Sequence, residues 1–421
     1  MRHESDAMRR GRTVSKALIF ALALAFVAPF VAGVHARGAR DKIKFWDAQR
    51  KGANYHNSAP AREWWAAAKE AGIEVVRLFP NNWATRRRDF LIGDADRYER
   101  LDEEDFRTLT RALDDAHAHR IGVVITTVSL PGSRWRQQNN EKDDLRVWRE
   151  ARYHEEAARF WHDLAARLKN HPAVVGYNIL NEPHPERATR FDDFWTEDFA
   201  KWYAGVENTP ADLNLFYAKV VASIRRADRE TPVVLDSGLY ATPWAFKYLK
   251  PLRDERIIYS FHMAEPWAYT TRRINRGRFA YPGVVTIGDG ERKVDERAWD
   301  AGELERFLAP VAEWQRRHKI PARRIFVGEF GCGRTVAGAD KYLADLTDIF
   351  DRRGWHWAFY QFRSDGTWTE RDYEFGVRPP GAGYWDAAGR GERPQGTLAR
   401  GPNPVWDVLR KALARRGPPL S

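Results

Sequence analysis

From residue 51 onward the sequence alternates two kinds of segment. Short runs such as 73–79, 121–128, 173–180 and 324–330 are apolar nearly throughout, the pattern of strands covered on both faces. Between them lie longer stretches with apolar residues at helical spacing, at 63–71, 103–119, 144–169, 213–229, 303–318, 340–353 and 405–415, with a shorter helical stretch at 244–249. Punctuation fits: Asp102 is placed to cap the helix from Glu103, and Gly72 to stop the one before it. Adding strands at 51–55, 232–236, 257–262 and 355–362 gives eight strand–helix pairs. No glycine-rich phosphate turn follows the first strand, so the alternation predicts a closed (β/α)8 barrel, a TIM barrel, rather than a doubly wound sheet. The long connections, around 80–101, 129–143, 183–209, 263–302 and 363–403, all follow strands, on the face where barrels build their sites.

Two of the apolar runs end in a carboxylate. Asn181-Glu182-Pro183 closes the fourth strand, where the proline can neither continue nor restart the ladder, and Gly328-Glu329-Phe330 closes the seventh. A closed barrel brings all its C-terminal strand ends to one face, so Glu182 and Glu329 are expected to oppose each other across a cleft.

The first residues stand apart from this pattern. Arg9, Arg10, Arg12 and Lys16 precede an apolar stretch from 17 to 34, and Val34-His35-Ala36 has the small residues of a cleavage site. Residues 1–36 therefore read as a signal peptide and 37–421 as the catalytic domain, exported to the periplasm or secreted; an uncleaved membrane anchor is the competing reading. The formal charge of +11 stays strongly positive after that head is removed, but the charges are spread along helices such as 306–319. A solvated surface explains them without nucleic acid. With the single cysteine Cys332 the chain has no internal disulfide and no zinc-type spacing, and Cys332 is expected to be structural. No cofactor, no metal and no stable membrane insertion after cleavage are expected, and the protein is expected to be a monomer.

Taken together, Asn181-Glu182-Pro183 after Gly176-Tyr177, the later Glu329, Arg77 at the second strand end and Tyr259-Ser260-Phe261-His262-Met263 on the sixth resemble glycoside hydrolase family 5, the cellulase-like clan A barrels. The resemblance covers roughly residues 42–415. It implies a retaining β-glycoside hydrolase acting on an oligo- or polysaccharide, with Glu182 as acid/base, Glu329 as nucleophile, Asn181 on the sugar 2-hydroxyl, Arg77 bonded to the nucleophile and His262 lining the reactive subsite. A transglycosylase with the same covalent intermediate and a non-catalytic glycan-binding barrel are the alternatives. The chemistry itself asks for such a pair: one carboxylic acid protonates the departing oxygen and one carboxylate attacks the anomeric carbon.

The sequence also departs from the family pattern. Segment 121–134 lacks the histidine that many members carry near the third strand end, and Ala264 stands where a tyrosine follows the sixth-strand histidine. Tyr360 stands where a tryptophan is common, leaving Trp357 or Trp368 as a possible stacking face. Of the 18 tryptophans, Trp83, Trp135, Trp195, Trp267, Trp368 and Trp385 fall in rim loops or at strand ends and suit sugar contacts; Trp64, Trp65, Trp161 and Trp314 suit packing.

Overall fold

The computed structural model describes residues 41–191, 198–287, 295–365, 369–375 and 401–416, so the expected signal peptide lies outside the described residues. Eight parallel strands close into a barrel: β1 (Lys51–Tyr55), β2 (Val75–Leu78), β3 (Gly122–Thr126), β4 (Val174–Asn178), β5 (Val233–Asp236), β6 (Ile257–Met263), β7 (Ile325–Phe330) and β8 (His356–Phe359), with β8 pairing back onto β1. The fold is thus the (β/α)8 barrel that the alternation predicts. Packed around it are α1 (Arg62–Glu70), α2 (Glu103–Ala118), α3 (Ala151–Leu168), α4 (Leu213–Ala227), α5 (Ala301–His318), α6 (Ala339–Arg353) and α7 (Pro404–Ala414). Asp102 caps α2 as expected, accepting from the backbone N–H groups of Glu104 and Asp105.

Two helical expectations change. The α3 helix starts at Ala151 rather than 144, because Asp144 and Leu145 pair with Ser133 and Arg134 in a short antiparallel ribbon. Charge explains it. Arg134 is nearly buried and binds Asp89, Asp94, Asp96 and Asp144, while Arg146 binds Asp96 and Asp144, so this segment serves to tie the loops after β2 and β3 together. The stretch at 244–249 is a 3-10 turn, Trp244–Tyr248, behind Pro243.

Side chains alternate between the barrel interior and the sheath of helices. Outward residues meet the helices in the main core, where Trp64, Trp65, Trp161 and Trp314 are buried as expected. Inward residues form layers. Val75, Val124, Val175, Val234, Ile258, Phe326 and Ala358 make an apolar floor with Ile43 and Trp46 of the 3-10 helix Lys42–Asp47. Trp46 plugs that end: its indole N–H donates to the Val175 carbonyl at 2.9 Å, and its ring meets Phe326 and His356 edge-on. One step higher lie Asn54, Arg77, Asn178, Asp236 and Ser260, all fully buried; Arg77, Asp236 and Ser260 keep the parity of Val75, Val234 and Ile258, whereas Asn178 is three residues past Val175, beyond a shift in the β3–β4 pairing. The barrel therefore changes from apolar to polar within two or three residues along β2, β4, β5 and β6, and the polar end is the C-terminal one.

Candidate active site

Arg77 organises the polar layer. Its side chain is fully buried, and Nη1 donates to Glu329 Oε1 at 2.7 Å and to Asn54 Oδ1 at 3.1 Å. Nη2 donates to Asn178 Oδ1 at 2.6 Å, Asn181 Oδ1 at 3.0 Å and Asp236 Oδ2 at 3.3 Å. A planar fork with fixed donors can hold these five groups, drawn from several strands and the rim, in one arrangement, which a flexible ammonium could not.

Each glutamate reaches the opening through a backbone irregularity, within the strand for Glu329 and just beyond it for Glu182. On β7 the pairing to β6 shifts between Val327 and Glu329, a bulge whose Gly328 carbonyl accepts from Asn54 Nδ2. Such a bulge re-aims a side chain that plain alternation would turn toward the helices. Glycine is required there: a Cβ on Gly328 would lie 2.8 Å from Ser260 Oγ and 3.0 Å from His262 Nε2. On the other side, Glu182 has a left-handed backbone (φ 49°), a conformation that costs energy for a side-chain-bearing residue and recurs at functional sites. The turn before it is fixed by Thr127, whose carbonyl accepts from Asn181 N and whose hydroxyl donates to the Ile179 carbonyl, and by the Trp161 indole on that same carbonyl.

The two glutamates and His262 converge, with one oxygen or nitrogen of each within 4.8 Å of the others. His262 Nδ1 lies 2.9 Å from Glu182 Oε1 and 4.0 Å from Glu329 Oε1. Among the described residues this trio could in geometry seat a cation, but the Arg77 guanidinium already occupies the charge-neutralising position beside Glu329. A divalent ion there would face that guanidinium at close range.

Burial raises the Glu182 carboxyl to about 7, with Asp236 adding to the effect and Arg77 and Arg371 opposing it. Burial pushes Glu329 up as well, against the downward pull of His262 and of Arg77, which bonds it directly. The difference between the two carboxyls is that contact: Glu329 touches the guanidinium and Glu182 touches an imidazole.

The other expected residues divide. Asn181 lies buried in the Arg77 network, and Tyr360 is nearly buried above β8 with its hydroxyl 3.1 Å from His56 Nδ1. Burial, with Glu329 as the next cause, pushes that phenol well above its ordinary value. Trp357 does not line the opening. It is fully buried on the helix side of β8, donates to Asp351 of α6 and packs on Phe330, because residues three apart in a strand face opposite ways. Trp83 is likewise buried against Phe90 rather than offered to a ligand. Trp135 and Trp267 are half-buried; Trp195, Trp368 and Trp385 lie outside the described residues. Cys332 is buried, burial raising its thiol to about 12, which leaves it inert as a nucleophile.

Sequence reasoning missed Asn54, Asn178 and Asp236 in the Arg77 network, and His56 beside Tyr360. It also missed a wall next to Glu182, where the His184 ring stacks on Tyr240 at 4.6 Å, meets Trp135 edge-on and has Nδ1 2.7 Å from the Glu182 carbonyl oxygen. Three consecutive left-handed residues, Leu239, Tyr240 and Ala241, bring Tyr240 there. Strand parity was the available signal for Asp236, two residues past the inward Val234, but not for Asn178, which follows a shift in the β3–β4 pairing at Val175.

A closed parallel barrel with opposed glutamates at its C-terminal rim is the architecture of clan A glycoside hydrolases. The family model "Cellulase (glycosyl hydrolase family 5)" matches residues 41–366, and the chain belongs to that family. It is 20% identical over 305 residues to endoglucanase C of Acetivibrio thermocellus, covering 68% of this chain and 75% of that one. It is 23% identical over 252 residues to a β-xylosidase of Phanerodontia chrysosporium, covering 59% of this chain but only 43% of the relative's length. Among solved structures, Thermotoga maritima Cel5A in complex with cellobiose superposes with a TM-score of 0.59 at 17% identity, over 89% of this chain and 99% of that one.

Proposed function

We propose that the protein is a retaining β-glycoside hydrolase that cleaves a β-glucan or related β-glycan by double displacement. The observation that carries this reading is the approach of Glu182 and Glu329 to within 4.8 Å. Retaining enzymes hold their carboxyls about 5 to 5.5 Å apart, whereas inverting ones need about 6.5 to 9.5 Å to admit a water. Glu329, bonded to Arg77, attacks the anomeric carbon; Glu182, raised toward neutrality, gives its proton to the departing oxygen. Once the sugar ester has neutralised Glu329, the Glu182 carboxylate takes a proton from the attacking water. The Asn181 oxygen is engaged by Arg77, which leaves its amide N–H groups to donate to a sugar hydroxyl. The endoglucanase relative and the cellobiose- and mannotriose-bound neighbours support a β-glycan substrate. Export rests on the N-terminal segment, and N-terminal sequencing of protein recovered outside the cytoplasm tests it.

Azide separates the roles. Glu182→Ala is expected to lose hydrolysis of natural glycans, yet to form the glycosyl-enzyme from an activated aryl glycoside and release it to azide as the β-glycosyl azide. Glu329→Ala is expected to give the α-glycosyl azide by a single inversion. An α-product from Glu182→Ala would overturn the assignment. Chain-length analysis of products at high glycan concentration distinguishes hydrolysis from transglycosylation.

A further inference from the structure

Behind the two rim glutamates lies a third carboxylate, Asp236 at the end of β5, with a fully buried side chain. Its Oδ2 accepts from Arg77 Nη2 at 3.3 Å and from the Glu182 backbone N–H at 3.4 Å, and lies 3.6 Å from His262 Nε2. The other imidazole nitrogen, Nδ1, is 2.9 Å from Glu182 Oε1. His262 therefore spans two carboxyl groups.

A neutral imidazole has one proton for its two nitrogens. The ring is nearly buried, and burial lowers its proton affinity below the ordinary histidine value; Glu329 on β7 and Asp236 oppose that, and Arg77 on β2 adds to it. Glu182, from the loop after β4, completes the set of charged or titratable groups against the ring. Around Glu182 itself stand His262, Arg77, Asp236, Glu329 and, at longer range, Arg371, Tyr240 and Tyr360. Ion-paired to Arg77, Asp236 presents only acceptors to Nε2. At 3.6 Å the contact is electrostatic rather than a hydrogen bond, but its sign is clear: a proton on Nε2 faces the carboxylate favourably and a lone pair does not. The lone pair is then on Nδ1, where Glu182 can meet it only by donating a proton.

We infer that Asp236 is a positioning residue that holds His262 as the Nε2–H tautomer, so that Nδ1 accepts a hydrogen bond from the protonated Glu182 carboxyl and keeps the acid loaded until substrate arrives. This rests on the assignment of Glu182 as acid/base. The proton passes from Glu182 to the departing oxygen and is replaced from the attacking water; His262 stays neutral and Asp236 exchanges no proton. The raised Glu182 carboxyl, to which Asp236 contributes, accords with this arrangement.

Two measurements test it. In the free full-length protein labelled with 15N-histidine, long-range 1H–15N spectra, with His262 assigned by its loss in His262→Asn, are expected to show a protonated Nε2 and an unprotonated Nδ1. A protonated Nδ1 overturns the inference whatever the enzyme's activity. Asp236→Asn removes the charge and offers Nε2 an amide N–H, so the basic limb of kcat/KM for a substrate with a poor leaving group is expected to move acidward by about one pH unit. With a dinitrophenyl glycoside, which needs no acid, that limb is expected to be absent in both forms. A uniform fall in kcat/KM with the limb in place is what lost packing alone would give, and overturns the inference. The readings stay separable: an Nε2–H imidazole with reversed azide products overturns the acid assignment and leaves the tautomer standing.

Discussion

At the scale of single residues, this protein is marked by carboxyls kept out of water. Glu186, four residues past the candidate acid, is fully buried, and no other residue donates a hydrogen bond to its carboxyl oxygens. Burial raises it to about 8. A carboxyl raised above its unfolded value favours the native state while both forms are protonated, below roughly pH 4.5, and that contribution is lost as pH rises toward 8. Glu186→Gln, which keeps the shape and removes the titration, is expected to gain stability over the wild type as pH goes from about 5 to about 8. The gain is on the order of a few kcal/mol, each pH unit between the folded and unfolded titrations being worth about 1.4 kcal/mol. Thermal unfolding of both proteins at the two pH values measures it, and parallel shifts in Tm would show that Glu186 does not titrate within this range. Of the site itself, the glutamates, Arg77, Asn181 and His262 were legible as residues because each ends an apolar run or sits in a recognisable motif. Asp236 also ends such a run, but one aspartate there looks like any strand terminus until Arg77, Glu182 and His262 are seen around it.

At the scale of elements, strand parity carries most of what could be read in advance, and breaks in parity carry the rest. Trp357 was a parity error, since Ala358 below the rim and Tyr360 above it already fix the inward face of β8. Glu329 is the converse, a residue brought inward by a bulge that no periodic pattern announces. The early start expected for α3 fails for a different reason, because buried charge pairs over Arg134 outweigh helical spacing in 144–150. The β7 bulge has its own test. Gly328→Ala is expected to cost about 1 to 3 kcal/mol, as overpacking usually does, and to lower kcat/KM more than about tenfold because the new methyl meets the His262 ring. Adding Ser260→Ala removes the atom closest to that methyl and is expected to restore part of both losses. Additive effects in this double-mutant cycle would place the damage elsewhere.

At the scale of the whole molecule, the barrel is closed at one end and chemically active at the other, and the closure is built from the start of the described chain. Trp46 is fully buried among the floor residues, so Trp46→Ala is expected to destabilise the protein by about 3 to 5 kcal/mol, read from denaturant unfolding, with little change in KM because the apolar floor and the Arg77 layer stand between it and the glutamates. Its partners on β4, β7 and β8 are spread over the rest of the sequence. Synthesis runs the other way: Trp46 leaves the ribosome early, whereas Phe326 and His356 emerge long after it. The plug can be seated only when the last strands are in place, so native closure of the barrel waits on a chain finished through β8, and the first described segment is among the last to reach its final packing.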